Sequence, residues 1–230
     1  MSWLSRLEAA LERIAEGGAE RVFGGRLDLV AVGQELYNRA VAGSREGADG
    51  PRAPNAYGIR FALDDYGHVS HEVEALQAKY AVSLWSRLRE AGYALDTPPG
   101  VLITPDERVA AGSTSIEAAF VSVAPAFTLS NLAGRGAVYR LKAPATLGRG
   151  RDCDLPVDAA SVSRRHAQVV WSRNGFAVVD LHSSNGTRLN GVDISGAPLE
   201  AGDTLALGDV HFQFAPELAP LPIGGDGAGM

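Results

Sequence analysis

Three short runs in the second half of the chain carry the residue types that do chemistry: LGRGRDCDL from Leu147, SVSRRHA from Ser161 and DLHSSNGTRLNG from Asp180. Each lies where an apolar stretch gives way to polar residues, the end of a strand or a loop, from which side chains reach a ligand. Arg149, Arg164 and Arg165 offer fixed positive charge and planar N–H donors that match phosphate oxygens. Ser163 and Ser184 add hydroxyl donors, and Asn185 both donates and accepts. A rival chemistry is nucleophilic, because Ser163, His166 and Asp180 are the residue types of a catalytic triad. That reading lacks a G-x-S-x-G elbow and a glycine-rich oxyanion segment, and residues three apart on a strand face opposite ways. GRGRD lacks the lysine and hydroxyl of a nucleotide-binding loop, and His166, His182 and His211 are too scattered to argue for a metal. The expectation is an anion-binding site in a protein that is not an enzyme and needs no cofactor.

These runs must be held by the elements around them. From Ala137 onward the sequence breaks into short strand-like pieces, AVYRLK, ATLGRG, HAQVVWS, FAVVDL, TRLN and TLALGDVHFQF, which predict an all-β sandwich over residues 137–216. Asn174-Gly175 predicts a two-residue type I′ hairpin, in which both central residues need positive φ. Gly148, Gly186, Thr187, Asn190 and Gly191 read as turn-builders that support the ligand-facing side chains. The residues before the sandwich, 124–136, lose periodicity and read as a linker, and 217–230, rich in proline and glycine, as a disordered tail.

Residues 1–123 mix helix and strand. Leu4, Leu7, Leu11 and Ile14 form one face of a helix ended by Gly17-Gly18. A second helix starts at Asp28 as N-cap and stops at Gly43, and Arg45–Asn55 reads as a loop. Tyr57, Ile59, Phe61 and Leu63 alternate as in a strand. A long helix follows with Val73, Leu76, Tyr80, Leu84 and Leu88 on one face and Gly92 beyond its end, then strands near 101–104 and 115–123. The order predicts an α+β layer fold. Residues Gly47–Gly50, GADG, superficially fit the G-x-x-G loop of RNA-binding KH domains, but an aspartate inside the loop and a strand after it favour a solvated loop.

The whole composition agrees with two soluble domains. The chain has 230 residues, 46% hydrophobic and 21% charged, and a formal net charge of -6 disfavours nucleic acid and anionic lipid as partners. Its single cysteine, Cys153, excludes an internal disulfide and reads as a small core residue. No apolar run approaches the roughly 20 residues that span a bilayer, and the first residues lack the unbroken apolar segment of a secretory signal, so the cytoplasm is the expected location.

The spacing of GR, SRRH and SSNGT-x-x-NG resembles the forkhead-associated (FHA) family, whose β-sandwich domains bind phosphothreonine peptides. The resemblance implies that Arg149 pairs with phosphate or the adjoining peptide backbone, that Ser163 bonds a phosphate oxygen and that Arg164 adds charge there. Ser184 stands where the family often has threonine, keeping the hydroxyl without the methyl, and Asn185 would hold the peptide main chain. His166 would be structural, bracing the loops near Gly148. The first half, through LERIAEGGAERVFGGRLDLVAVGQELYNRA, PNAYGIRFAL and STSIEAAFVSV, resembles the N-terminal domain of bacterial FHA proteins of the FhaA type. Such proteins act downstream of Ser/Thr kinases, with links to cell-envelope synthesis. The implied function is an adaptor for phosphothreonine-containing partners, a Ser/Thr kinase or its substrates; the alternative is a degenerate FHA domain that serves as a phosphate-independent scaffold.

Overall fold

A computed structural model describes residues 27–133 and 136–217, so the helix expected over Leu4–Ile14 lies outside the described residues. Two compact units divide the chain between Val123 and Ala124.

In the first unit helix α1 runs Leu29–Ala42, and the Asp28 carboxylate caps it by accepting the N–H groups of Val30 and Ala31 at 2.9 and 3.1 Å. The expected loop over 45–55 instead holds a two-stranded ribbon, β1 (Arg45–Gly47) and β2 (Gly50–Arg52), with Gly50 at φ 107. Gly47 pairs directly with Gly50, so GADG is the tip of a hairpin and not a loop between helices. Strand β3 (Ala56–Phe61) buries Tyr57, Ile59 and Phe61. Leu63 does not continue that alternation: it is 56% exposed and opens a short helix, α2 (Leu63–Val69). Helix α3 (Val73–Glu90) buries Tyr80, Ala81, Leu84 and Leu88. Strands β4 (Gly100–Pro105) and β5 (Thr114–Ala119) flank β3, parallel and antiparallel respectively, in a three-stranded sheet. Helix α3 packs on β4 and α1 on β5, giving the α+β layers.

The second unit is a sandwich that begins earlier than the sequence pattern implied. Residues 124–136, expected as a linker, contain strand β6 (Ala126–Asn131). Phe127 and Leu129 on it are fully buried, while Thr128 and Ser130 between them face outward. The remaining strands are β7 (Val138–Lys142), β8 (Ala145–Gly148), β9 (Leu155–Pro156), β10 (Ala167–Ser172), β11 (Gly175–Asp180), β12 (Thr187–Leu189), β13 (Val192–Ile194), β14 (Gly196–Pro198), β15 (Thr204–Leu207) and β16 (Val210–Pro216). They form a six-stranded sheet, β13-β12-β15-β16-β6-β7, and a five-stranded sheet, β14-β11-β10-β8-β9. An aromatic cluster joins the sheets: Phe176 of β11 lies 5.5 Å from Phe127, 5.3 Å from Phe214 and 4.7 Å from Trp171, each edge-on. Glu217, assigned to the tail by sequence, belongs to the sheet: its N–H donates to Ala126 O at 2.8 Å and its carboxylate takes Arg140 Nε at 2.6 Å.

The β10–β11 hairpin is present, but Ser172 faces Gly175, so Arg173 and Asn174 form its corner. Gly175 has φ 103 and Asn174 no positive φ, which corrects the expected type I′ turn there. The Asn-Gly pair that does take two positive φ values is Asn190-Gly191, at 52° and 85°, between Leu189 and Val192.

Candidate functional site

Four loops converge at one end of the sandwich: 149–154, 157–166, 181–186 and the β15–β16 turn at Gly208-Asp209. Their backbones are bonded to one another before any side chain is considered. The N–H groups of Arg149 and Gly150 donate to the carbonyls of Ser163 and Arg164 at 2.8 and 2.9 Å, and Gly208 N–H reaches Gly186 O at 3.3 Å. Such close approach explains Gly148: a Cβ there would overlap the Arg164 carbonyl and stand 3.0 Å from Arg165 Cα.

At the centre is His166, fully buried. Its Nδ1 accepts the Ser163 N–H and its Nε2 donates to Gly186 O, both at 3.1 Å. Its own N–H donates to Leu147 O at 2.9 Å and its carbonyl accepts Leu181 N–H at 2.8 Å. One side chain thus ties the serine loop to the asparagine loop. Because both ring nitrogens are spent on backbone groups, His166 is not placed to take a proton from the Ser163 hydroxyl, and the residues of the triad reading do not assemble as a triad.

The side chains expected to meet a ligand follow a continuous path. Ser163 Oγ accepts Ser184 N–H at 2.9 Å and lies 3.5 Å from Ser184 Oγ. That bond uses a lone pair, and the hydroxyl hydrogen, directed at Ser184 Oγ over the long 3.5 Å contact, can rotate to a stronger acceptor. Arg149 Nε donates to Val162 O at 3.2 Å, which fixes the guanidinium, and among the described residues its two terminal nitrogens pair with no carboxylate. Asn185 Nδ2 donates to Ser161 O at 2.8 Å, leaving Oδ1 to accept. Arg164 is exposed, with its carbonyl held by Gly150 N–H and by the Cys153 thiol at 3.1 Å. Arg165 is exposed beside it.

Residues behind the site complete it. Asp180 accepts Ser183 Oγ and Thr187 Oγ1, each at 2.6 Å, and Ser183 N–H at 3.0 Å. Burial opposes its ionisation, but those donors outweigh burial and hold its carboxyl below the usual aspartate value. Thr187 is fully buried in this network. Asn190 accepts Thr204 N–H and donates to Asp203, so with Gly191 it builds the corner at the far end of β12 from Asn185. Gly186, at φ 75, turns the chain between Asn185 and β12. Burial first, then Asp152, raises the pKa of the Cys153 thiol, as expected of a core residue. Sequence reasoning passed over Ser161, whose hydroxyl bonds the Asp209 carboxylate and whose carbonyl anchors Asn185. A separation of 48 residues hides the first contact from any local pattern. Among the described residues no group of His, Cys, Asp and Glu could hold a metal ion, and no helix is long and apolar enough to cross a membrane.

A two-sheet sandwich with arginine, serine and asparagine gathered on loops at one end defines a forkhead-associated domain. The family model for the FHA domain matches residues 145–208, and that for the FhaA N-terminal domain matches residues 4–117. The chain belongs to the FHA-domain proteins of the FhaA type. It is similar to the FHA domain-containing protein FhaA of Mycobacterium tuberculosis, 34% identical over 76 residues, which span 33% of this chain and 14% of that relative. This chain therefore covers about a seventh of that relative's length. Two solved structures are 31% identical. One, from work on phosphothreonine-dependent FHA domain interactions, matches over 42% of this chain and 99% of its own, with TM-score 0.38. The other, the FhaA FHA domain complexed with the intracellular domain of Rv3910, matches over 39% and 99%, with TM-score 0.37.

Proposed function

We propose that the protein is a non-enzymatic cytoplasmic adaptor whose sandwich domain captures phosphothreonine on a partner, a Ser/Thr kinase or a kinase substrate, in bacterial signalling tied to cell-envelope synthesis. The observation that carries this reading is the unbroken bonded path from Arg149 through Val162, Ser163 and Ser184 to Asn185 and Ser161. In this reading Ser163 Oγ and Ser184 Oγ bond phosphate oxygens, Arg149 and Arg164 neutralise the phosphate, and Asn185 holds the adjoining main chain. Recognition of phosphate by arginine clusters is a recurring mode of peptide binding. A phosphothreonine brings about -1.5 to -2 charge and three acceptor oxygens, and donors already fixed by the protein lose little freedom on meeting it. Phosphoserine differs by one methyl, which a fitted apolar slot distinguishes by roughly 10–200-fold.

Matched phosphothreonine, phosphoserine and unmodified peptides titrated into the full chain test the proposal. The phosphothreonine peptide should bind tightest and the unmodified one negligibly, and Ser163→Ala or Arg149→Ala should weaken binding about 10-fold or more, as expected for a lost charge-assisted bond. Equal affinity for all three peptides defeats the proposal and leaves the phosphate-independent scaffold.

A further inference from the structure

The β15–β16 turn, Gly208-Asp209, holds no residue assigned to phosphate or peptide, yet it is built into the site from two sides. Gly208 is buried at φ 59, and a Cβ on it would lie 2.6 Å from Ser161 O and 2.9 Å from Ser161 Cβ, an approach that only glycine permits. Its N–H donates to Gly186 O at 3.3 Å, and its carbonyl accepts Arg188 Nη2 at 2.8 Å. Ser161 bonds the Asn185 side chain and Gly186 follows Asn185 in the chain, so the turn borders Asn185 on both counts.

Asp209 adds a contact of its own. Its carboxylate accepts the Ser161 hydroxyl, its N–H faces the same oxygen at 3.5 Å, and its carbonyl takes His211 Nδ1 at 3.1 Å. The side chain is exposed and joins no ion pair among the described residues. A hydroxyl held by a carboxylate is bound more strongly than one held by a neutral acceptor. Ser161 O in turn accepts Asn185 Nδ2 at 2.8 Å, the bond that turns the amide so that Oδ1 is left to accept. Asn185 is exposed and its side chain rotates about two single bonds, so the aim of that acceptor depends on where Ser161 O stands.

We infer that Asp209 is a positioning residue of the site: through Ser161 it aims Asn185 Oδ1 at a main-chain N–H beside the phosphothreonine. Arg149 and Ser163 are held by other bonds, to Val162 O and from Ser184 N–H. Loss of Asp209 therefore removes the grip on the peptide backbone and leaves the phosphate contacts. An aspartate that only shaped the turn would have no such selective effect, and one that read a basic ligand side chain would need its charge. This inference rests on the proposed phosphothreonine site and names what orients its hold on the ligand main chain.

The test uses the full chain, one phosphothreonine peptide, and two analogues in which the amide before or after the phosphothreonine is an ester, which lacks the N–H. In the wild-type chain one ester should bind about three- to tenfold more weakly than the amide, the worth of one hydrogen bond. The ratio of amide to ester cancels the general gain expected from removing a negative charge near a phosphate. Asp209→Ala should cut that penalty to below about twofold while the phosphorylated peptide still outbinds the unmodified one, which also shows that the variant is folded. Ser161→Ala keeps the anchoring carbonyl, removes only the hydroxyl and should do the same. Asp209→Asn still accepts that hydroxyl and should restore most of the penalty. Asn185→Ala should abolish the penalty, and adding Asp209→Ala should not change it further, since both act on one bond. An unchanged penalty in Asp209→Ala or Ser161→Ala overturns the inference, as does an Asp209→Asn variant no better than Asp209→Ala. If neither ester is penalised in the wild-type chain while phosphate dependence holds, only the main-chain grip and its positioning fail. If no phosphopeptide binds, the phosphothreonine site fails with them.

Discussion

Replacement of His166 by alanine tests the framework that joins the Ser163 loop to the Gly186 turn. The imidazole is fully buried and makes two side-chain bonds, from Ser163 N–H and to Gly186 O. Ser163 N–H would lose its partner, at about 1–3 kcal/mol for a buried donor left unsatisfied. Gly186 O would keep only the long bond from Gly208 N–H at 3.3 Å, so its share is smaller. The void left by the ring adds a cavity cost. Together these predict a loss of about 3–4 kcal/mol, a large part of the 5–15 kcal/mol typical of a folded domain. His166→Gln retains a donor for Gly186 O but not the acceptor for Ser163 N–H, and should lose about half as much. Because the chain holds two units, a single unfolding curve mixes two transitions, so the measurement is native-state hydrogen exchange resolved by residue. Protection should fall first at Ser163, Ser184 and Gly208, and phosphopeptide affinity should fall with it. A loss below about 1 kcal/mol, or unchanged protection at those amides, would refute the bracing role.

Two further expectations concern neighbouring groups. Asp180→Asn removes a carboxylate that accepts three donors and should cost about 1–3 kcal/mol. Because the folded protein holds the Asp180 carboxyl below its usual 3.8, its stabilisation is present above that value and is lost as pH falls through the folded pKa. Urea titrations from pH 6 down to pH 2 should therefore show a shallower acid loss in the variant; identical pH profiles would exclude it. Gly148→Ala forces a methyl into the Arg164 carbonyl and should destabilise by about 1–3 kcal/mol while separating the two arginine loops, read as lost protection at the Gly150 amide. A neutral Gly148→Ala would show that the loops yield without strain.

The sequence exposed residue chemistry better than it exposed pairing. Arginine, serine and asparagine at loop ends are the types an anion site needs, and the structure brings Arg149, Ser163, Ser184 and Asn185 into one bonded path. Strand β6 escaped notice because Pro125 and its small polar neighbours dilute a pattern in which only Phe127 and Leu129 are large. The chain's three Asn-Gly pairs, at 174, 185 and 190, look alike locally, yet only Asn190-Gly191 forms the corner of a hairpin. At Asn174-Gly175 the register is set from a distance: Trp171 faces Phe176 across the strands and their rings meet at 4.7 Å. Centring the turn on Asn174-Gly175 would place Arg173 opposite Phe176 and break that contact. The Ser161–Asp209 bond joins loops that no nearby periodicity connects.

Strand β6 has one more implication. It lies antiparallel to β16, with Phe127 opposite Pro216, so the polypeptide comes into the sandwich and departs from it through adjacent strand ends. The Gly208-Asp209 tip sits at the other end of β16, about 20 Å away for seven residues of extended strand. The chain thus joins the sandwich before Ala126 and leaves it after Glu217 at strand ends opposite that tip, so a sandwich of this kind is a cassette that can be spliced between other segments without interrupting any of its strands.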